Sequence, residues 1–577
     1  MRTYSCVSLL ALLTFPLCLP AAHGAEPDLI VHHGKIFTVD GTEAVHQAMA
    51  LQGGRILQLG SNDEILKTKG ARTQVIDLRG KLVLPGLIDS HVHPGAAMIE
   101  FDHPIPEMET IQQVLDYLKA RAEVLKEGEW IHLSQVFITR LREQRYPTRA
   151  ELDRVAPKHP LVFATGPDAS LNSLALQLSG IDRNFRITDG GPGHIEKDAD
   201  GEPTGILRSC TRVIKSKVSG KNPSEEDYYR RTLQLFKDYN SIGLTTVADR
   251  SADVVSIGRY QKMRDQGDLT VRLSISQNIA TLGAIEKIQE NIRNVAKNPL
   301  CQGDSMLRII GIKTFLDGGM LTGSAYMREP WGVSDIYAIT DPNYRGVLFI
   351  PKERLLPIVR TAIESGLQFT AHSVGDGAVH TLLDVYEEIN QTKPIRQTRP
   401  CITHSNFMSK EAVEKAAKLG VVLDIQPAWL YLDTRTLVKQ FGYDRLRYFQ
   451  PLKSIFEAGV MVGGGSDHMQ KIGSLRSINP YNPFLGMWVA ITRRSKWYEG
   501  RLHPEEALTR EQAIRFYTKN NAYLLFRENE IGSLEQGKLA DFVVLDTDLL
   551  TCPEDEIAKT QVLRTYLNGK LVYQKNN

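Results

Sequence analysis

Two hydrophobic patterns alternate along the chain and divide it into terminal and central regions. From Asp28 to Val83, short apolar runs are punctuated by turns: Leu29-Ile30-Val31, Ile36-Phe37-Thr38, Arg55 to Leu59 and Gln74 to Asp77. The same texture returns at the other end in Asp541 to Leu545 and in Val562 to Tyr573, which contains a turn at Asn568-Gly569. Such runs predict β-strands. Neither segment alone has enough of them for a stable sheet. Together, 25–83 and 535–577 predict one small split β-sandwich that the chain enters and leaves.

The middle, 84–534, alternates apolar runs with helix-period stretches, the pattern of βα units on a parallel sheet. Eight candidate strands fall at 83–88, 243–248, 270–276, 308–314, 368–372, 400–404, 421–426 and 460–466. Arg354–Glu364, Ala378–Glu388 and Lys410–Leu419 read as helices between them. The predicted fold class is therefore α/β, a (β/α)8 TIM barrel whose site lies at the C-terminal ends of the strands. The gap after the first strand is too long for one helix, so about 97–238 is expected to be an inserted subdomain. Its helix Ile111–Leu125 would be capped by Glu109 or Thr110. No short-period repeat and no low-complexity tract is present.

Residues 1–24 stand apart. Arg2 precedes the apolar stretch Val7 to Leu19, and Ala22-His23-Gly24 supplies small residues before a cleavage near Ala25. This is the pattern of a secretory signal peptide, and it predicts a periplasmic or secreted protein. A membrane anchor is the alternative, but Pro16 and Pro20 break the stretch and it is short for a bilayer span. Cys18 is a poor lipoprotein site because Leu17 stands where a small residue is needed. Removal of the signal leaves Cys210, Cys301, Cys401 and Cys552, too scattered for a zinc ribbon or a dense disulfide framework. Lys and Arg total 69 against 67 Asp and Glu, a balance that argues against nucleic acid as the partner. A small-molecule substrate is expected, with a homodimer left open.

The candidate chemistry gathers at predicted strand ends. Leu84 to His93 is an apolar strand closing on His91-Val92-His93, two imidazoles at i and i+2 on one face. Such a pair suits a divalent metal such as zinc, although HxH alone is a weak motif. His372 and His404 end the fifth and sixth strands, and Asp467 follows Val460 to Ser466 at the eighth. Singly, each reads as a cap or a satisfied core residue; coincidence at the barrel mouth favours a site. Lys313 ends the fourth strand inside an apolar run, where a charged amine is costly to bury. It must pair, for instance with Asp317, or go neutral, and a neutral amine can take up carbon dioxide as a metal-bridging carbamate. The residues alone leave these two readings open.

This set resembles the metal-ligand signature of the amidohydrolase superfamily, in the family 3 branch that contains N-substituted formamide deformylases. The resemblance extends to Thr148-Arg149-Ala150-Glu151-Leu152-Asp153, Asn172-Ser173, Gly201-Glu202-Pro203-Thr204-Gly205, Asp317-Gly318-Gly319, His372-Ser373-Val374-Gly375-Asp376, Gln426-Pro427 and Gly532 to Asp541. It implies metal-assisted hydrolysis of a non-peptide carbon–nitrogen bond, an amide or an N-acyl or N-formyl group. It implies two zinc ions on His91, His93, His372, His404 and Asp467, bridged by carboxylated Lys313, with Asp467 as general base and then acid. Asp317, Asp376 and His468 are further substrate or supporting candidates; Tyr326, Trp331, Trp429 and Tyr481 are candidate walls. Where relatives carry a glycine-rich stretch after a tryptophan, this chain has Ile131 to Phe137 after Trp130. Where they often carry a histidine before Asn-Ser, it has Gly166-Pro167-Asp168; where they have an acid after Gly-Ile-Leu-Arg, it has Ser209. The loop Gly319 to Gly323 is also altered. A mononuclear deaminase and a catalytically silent binding protein on the same fold are the competing readings.

Overall fold

The computed structural model describes residues 26–42, 44–134, 136–217, 222–469 and 471–576. The expected signal peptide, with Cys6 and Cys18, lies outside the described residues. No helix among the described residues is long and apolar enough to cross a membrane.

Eight parallel strands form the central sheet: Leu87–Val92, Leu244–Ala252, Arg272–Asn278, Leu307–Phe315, Gln368–Ser373, Cys401–His404, Val422–Ile425 and Val462–Gly464, neighbours in that order. The ring closes between the last and first strands, where the Asp467 amide donates to the His91 carbonyl at 2.8 Å and the His93 amide to the His468 carbonyl at 2.9 Å. The architecture is a TIM barrel. Its strands are apolar nearly throughout because helices cover their outer side, and Lys352–Glu364, Asp376–Asn390 and Lys410–Leu419 pack into the main core beside them.

One expected boundary is corrected. The run assigned to a first barrel strand at 83–88 is two strands: Leu82–Pro85 pairs with Phe542–Leu545 in the outer β domain, and the barrel begins at Leu87. Gly86 makes the passage possible. A Cβ there would lie 2.2 Å from the Thr245 hydroxyl oxygen, so only glycine lets the backbone cross so close.

The outer β domain has a four-stranded and a six-stranded sheet, drawn from both termini. Leu29, Val31, Met49, Leu51, Val83, Phe542, Val544 and Tyr566 fill the space between them. Strands Val45–His46 and Ala48–Gln52 belong to it as well and were not expected from the pattern. Buried Arg272, at the start of the third barrel strand, joins the units by two hydrogen bonds to Asp541, at 2.6 and 2.8 Å. Bidentate pairs of this kind fix orientation as well as contributing energy.

Between the first and second barrel strands lies a separate five-stranded sheet in the order His194–Lys197, Pro203–Arg208, Ala169–Leu171, Leu161–Ala164, Ile131–Ser134. Helix Ile111–Val124 packs on it, started by a capping box between Thr110 and Gln113. Thr110, one of the two expected caps, therefore satisfies the first free amides. The tight turn at 165–168 of this sheet overhangs the barrel mouth, and Gly166 and Pro167 line the cavity there.

Candidate metal centre

His91, His93, Lys313, His372, His404 and Asp467 converge at the C-terminal mouth of the barrel. The Nε2 atoms of His91 and His93 are 3.1 Å apart, and Asp467 Oδ1 lies 3.4 and 3.1 Å from them. The ring of His404 is 4.9 Å from that of His91 and 4.5 Å from that of His372, centre to centre. Lys313 is fully buried.

The backbone is shaped to bring these groups together. His404 has φ +76° and Asp467 φ +53°, left-handed values that non-glycine residues adopt at a cost of about 1–2 kcal/mol each. Two strained residues at two strand ends of one site are what functional constraint produces. Gly465 allows the closing strand to approach His91, whose Cβ would otherwise lie 2.9 Å from an added Cβ.

Three imidazoles are held neutral. Burial, then the nearby Lys313, pushes His372 down to about 3; burial also drives His91 and His404 well below the ordinary histidine range. A neutral imidazole with a free lone pair is the ligand form. Supporting contacts fix which nitrogen faces inward. His91 Nδ1 lies 3.3 Å from Asp424 Oδ1, and His404 Nδ1 lies 2.7 Å from Gln426 Oε1, leaving both Nε2 atoms for the centre. Asp424 is in turn held by the Gln426 amide at 2.8 Å, the Thr403 hydroxyl at 3.2 Å and Arg250 at 3.5 Å. Carboxylates behind histidines orient metal ligands in this way.

Lys313 decides whether the group fits a metal. Among the described residues its buried Nζ makes no hydrogen bond, with the Phe315 ring centre 5.1 Å away, and burial lowers its pKa to about 8. The alternative of a salt bridge to Asp317 is not realised. Both Asp317 oxygens instead accept backbone amides, from Val374 at 3.0 Å, Gly375 at 2.9 Å and Tyr326 at 2.9 Å. An amine without a hydrogen-bond partner is costly there, and as an ammonium it would repel bound cations, whereas its carbamate would be an anion suited to them.

A cavity of about 420 Å³ opens above, lined among others by His93, Lys313, His372, His404, Asp467 and Trp429. Of the aromatic wall candidates, Trp429 is there, stacked on His404 at 4.6 Å. Trp331 packs in the core against Tyr337, and Tyr481 against His468 and Tyr239. The structure places the other candidates outside this cavity. Asp317 braces the loop beside His372, with 3.9 Å between its Oδ1 and His372 Nε2. Asp376 accepts the Arg328 amide at 2.8 Å. His468 is buried, its two nitrogens 3.1 Å from the Tyr239 hydroxyl and 3.0 Å from the Lys471 carbonyl. The four described cysteines are free thiols.

Asp424, Arg250 and Asn479 were missed from sequence. The signal for Asp424 was present: a carboxylate inside the apolar run Val421 to Ile425 is as anomalous as Lys313 in its own. The two departures at Asp168 and Ser209 also prove to be one feature. The Ser209 amide and hydroxyl donate to Asp168 Oδ1, at 2.6 and 3.3 Å, and the Ser324 hydroxyl donates to Oδ2. The pair ties the overhanging turn to the loop after the fourth strand.

The amidohydrolase family model matches residues 74–573, so the chain belongs to the amidohydrolase family and is a metal-dependent hydrolase. It is 29% identical over 559 residues to the N-substituted formamide deformylase of Arthrobacter pascens, covering 95% of this chain and 98% of that protein. It is 28% identical over 570 residues to the protein LONG AFTER FAR-RED 3 of Arabidopsis thaliana, covering 95% and 92%. The crystal structure of an uncharacterized metal-dependent hydrolase from Pyrococcus horikoshii has the same fold, with a TM-score of 0.65, 22% identity and coverage of 91% and 99%. A zinc complex of a variant atrazine chlorohydrolase from Arthrobacter aurescens aligns with a TM-score of 0.50 at 16% identity, covering 95% of each chain.

Proposed function

We propose that this protein hydrolyses a carbon–nitrogen bond of a small molecule, an amide or an N-acyl or N-formyl amine, with two zinc ions. His91, His93, His372, His404, Asp467 and a carbamate on Lys313 would hold them. The observation that carries this reading is the buried Lys313 Nζ among the histidines, without a hydrogen bond among the described residues. Bound there, such ions supply Lewis acidity, which lowers the pKa of water to about 7 and polarises a carbonyl.

The remaining work falls to side chains. Asp467 takes the proton that water gives up and returns it to the leaving nitrogen, so the C–N bond breaks as a C–O bond forms. Asn479 steadies it, donating from one amide nitrogen to the Asp467 carbonyl at 2.8 Å and to Oδ2 at 3.4 Å. Burial raises the Asp467 pKa, which suits a group that must hold a proton for part of the cycle. Trp429 and Phe137 line the cavity with apolar surface. The N-substituted formamide deformylase relative supports the choice of bond.

The test is release of amine from a panel of N-formyl and N-acyl amines by the zinc-loaded mature chain. Turnover that falls by at least about 100-fold in Asp467→Asn is the expected result. Ammonia release from amino-heterocycles without amide hydrolysis would instead establish the deaminase reading. We also propose export with cleavage near Ala25, which N-terminal sequencing of the protein recovered outside the cytoplasm would check.

A further inference from the structure

A second cavity, of about 510 Å³, adjoins the first. Gly166, Pro167, Phe315 and His372 line both. Its other walls include Pro192, Ile279, Leu282 and Phe349, an apolar set. Leu282 is 45% exposed and Phe315 40% exposed, although Phe315 stands beside the centre with its ring 5.6 Å from that of His372. Large side chains left open in a concavity that continues a catalytic cavity mark a ligand surface more often than chance exposure does.

The side of the centre on which this cavity opens is informative. Asp467 touches His91 and His93 and lines only the first cavity, whereas His372 is reached through His404, at the other end of the cluster. The leaving nitrogen must lie near the carboxylate that protonates it. A substituent extending past His372 and Phe315 is then on the carbonyl side. From this placement we infer that the second cavity is an acyl subsite, and that the substrate is an N-acyl amine carrying an extended apolar acyl chain or aryl-acyl group. The inference rests on the C–N hydrolysis proposed above and narrows it: a formyl group would leave the subsite empty. Hydrolysis of such a compound releases an apolar carboxylate and an amine. Polar positions also line it: Asn278, Thr281 and Thr211, with Arg212 paired to Asp189, Ser209 bonded to Asp168, and Asp317 taken up by three backbone amides.

Binding of the two product halves tests the assignment without requiring turnover. Titration calorimetry on the zinc-loaded mature chain compares octanoate with acetate, and octylamine with methylamine. Octanoate is expected to bind at least about tenfold more tightly than acetate, since burial of only part of the longer chain suffices. That ratio should fall towards one in Leu282→Asp and in Ala280→Trp, both at exposed positions on the cavity wall. The octylamine ratio should be smaller in the wild type and unmoved by either variant. A carboxylate ratio near one, or one that survives both substitutions, overturns the subsite. A ratio that follows the amine instead overturns the assignment of the carbonyl side. Loss of all amide hydrolysis with the carboxylate ratio intact would refute the C–N reading alone.

Discussion

Lys313 and Arg208 are both fully buried cations in this chain, and their surroundings differ completely. Arg208, at the end of a strand in the inserted sheet, reaches Glu196 Oε1 at 3.0 Å and the Thr322 carbonyl at 2.6 Å. It also reaches the carbonyls of Tyr337 and Ala338, with Asp168 at 3.8 Å. Among the described residues Lys313 has no hydrogen-bond partner, and only the Phe315 ring, 5.1 Å away at its centre, faces its Nζ as a cation–π contact. A buried charge with every donor satisfied is architecture: here it clamps the overhanging sheet to the loop after the fourth barrel strand. A buried amine left unsatisfied costs the fold energy unless another species completes it. Burial alone therefore does not separate a structural cation from a functional one; the partner set does.

Substitutions at the two places should separate these roles. Arg208→Ala leaves Glu196 and Asp168 facing a vacated site and should cost about 3–5 kcal/mol of stability, the usual loss on breaking a buried pair. Urea unfolding would measure it, and a loss within about 0.5 kcal/mol, as for an ordinary surface change, would contradict the clamp. Asp467→Asn should lower kcat/KM by about 100- to 10,000-fold, the range for removing a general acid–base, measured at saturating zinc because Asp467 is also a proposed ligand. Asp424→Asn keeps the shape behind His91 but weakens its orientation, and should reduce zinc affinity by about 10- to 100-fold. Competition with a chelator reads that effect directly. Lys313→Met should stabilise the chelator-treated protein by about 1–3 kcal/mol, because it removes the unpaired amine without opening a cavity. The same variant in the presence of zinc should lose that advantage, and a destabilised metal-free Lys313→Met would erase the contrast with Arg208.

Much of the barrel was legible because buried parallel strands read as unbroken apolar runs, and seven of the eight expected segments overlap the observed barrel strands closely. The first failed at its boundary for the same reason. Leu82 to Ile88 is continuous in hydrophobicity, and pattern alone cannot show that Gly86 carries the chain from one sheet into another. Val45–His46 and Ala48–Gln52 escaped because a short strand, or one buried on both faces, shows no alternation. At the site, His91, His93, His372, His404, Lys313 and Asp467 were legible as chemically improbable endings of apolar runs. Asp376 and His468 are read from adjacency in sequence, and neither lines the cavity that Asp467 enters. His468 is drawn back onto Tyr239 and Tyr481 while its neighbour Asp467 enters the cavity. The contact between Asp168 and Ser209 joins positions 41 apart in sequence, which no local pattern reveals.

The central claim is that the unpartnered Lys313 is completed by two metal ions. Metal content by mass spectrometry tests it, on protein purified from cells grown with zinc and bicarbonate, beside Lys313→Ala. About two zinc ions per chain are expected in the wild type, with a clear fall in the variant. About one ion per chain, unchanged by the substitution, would contradict it and leave Lys313 without a role in the centre.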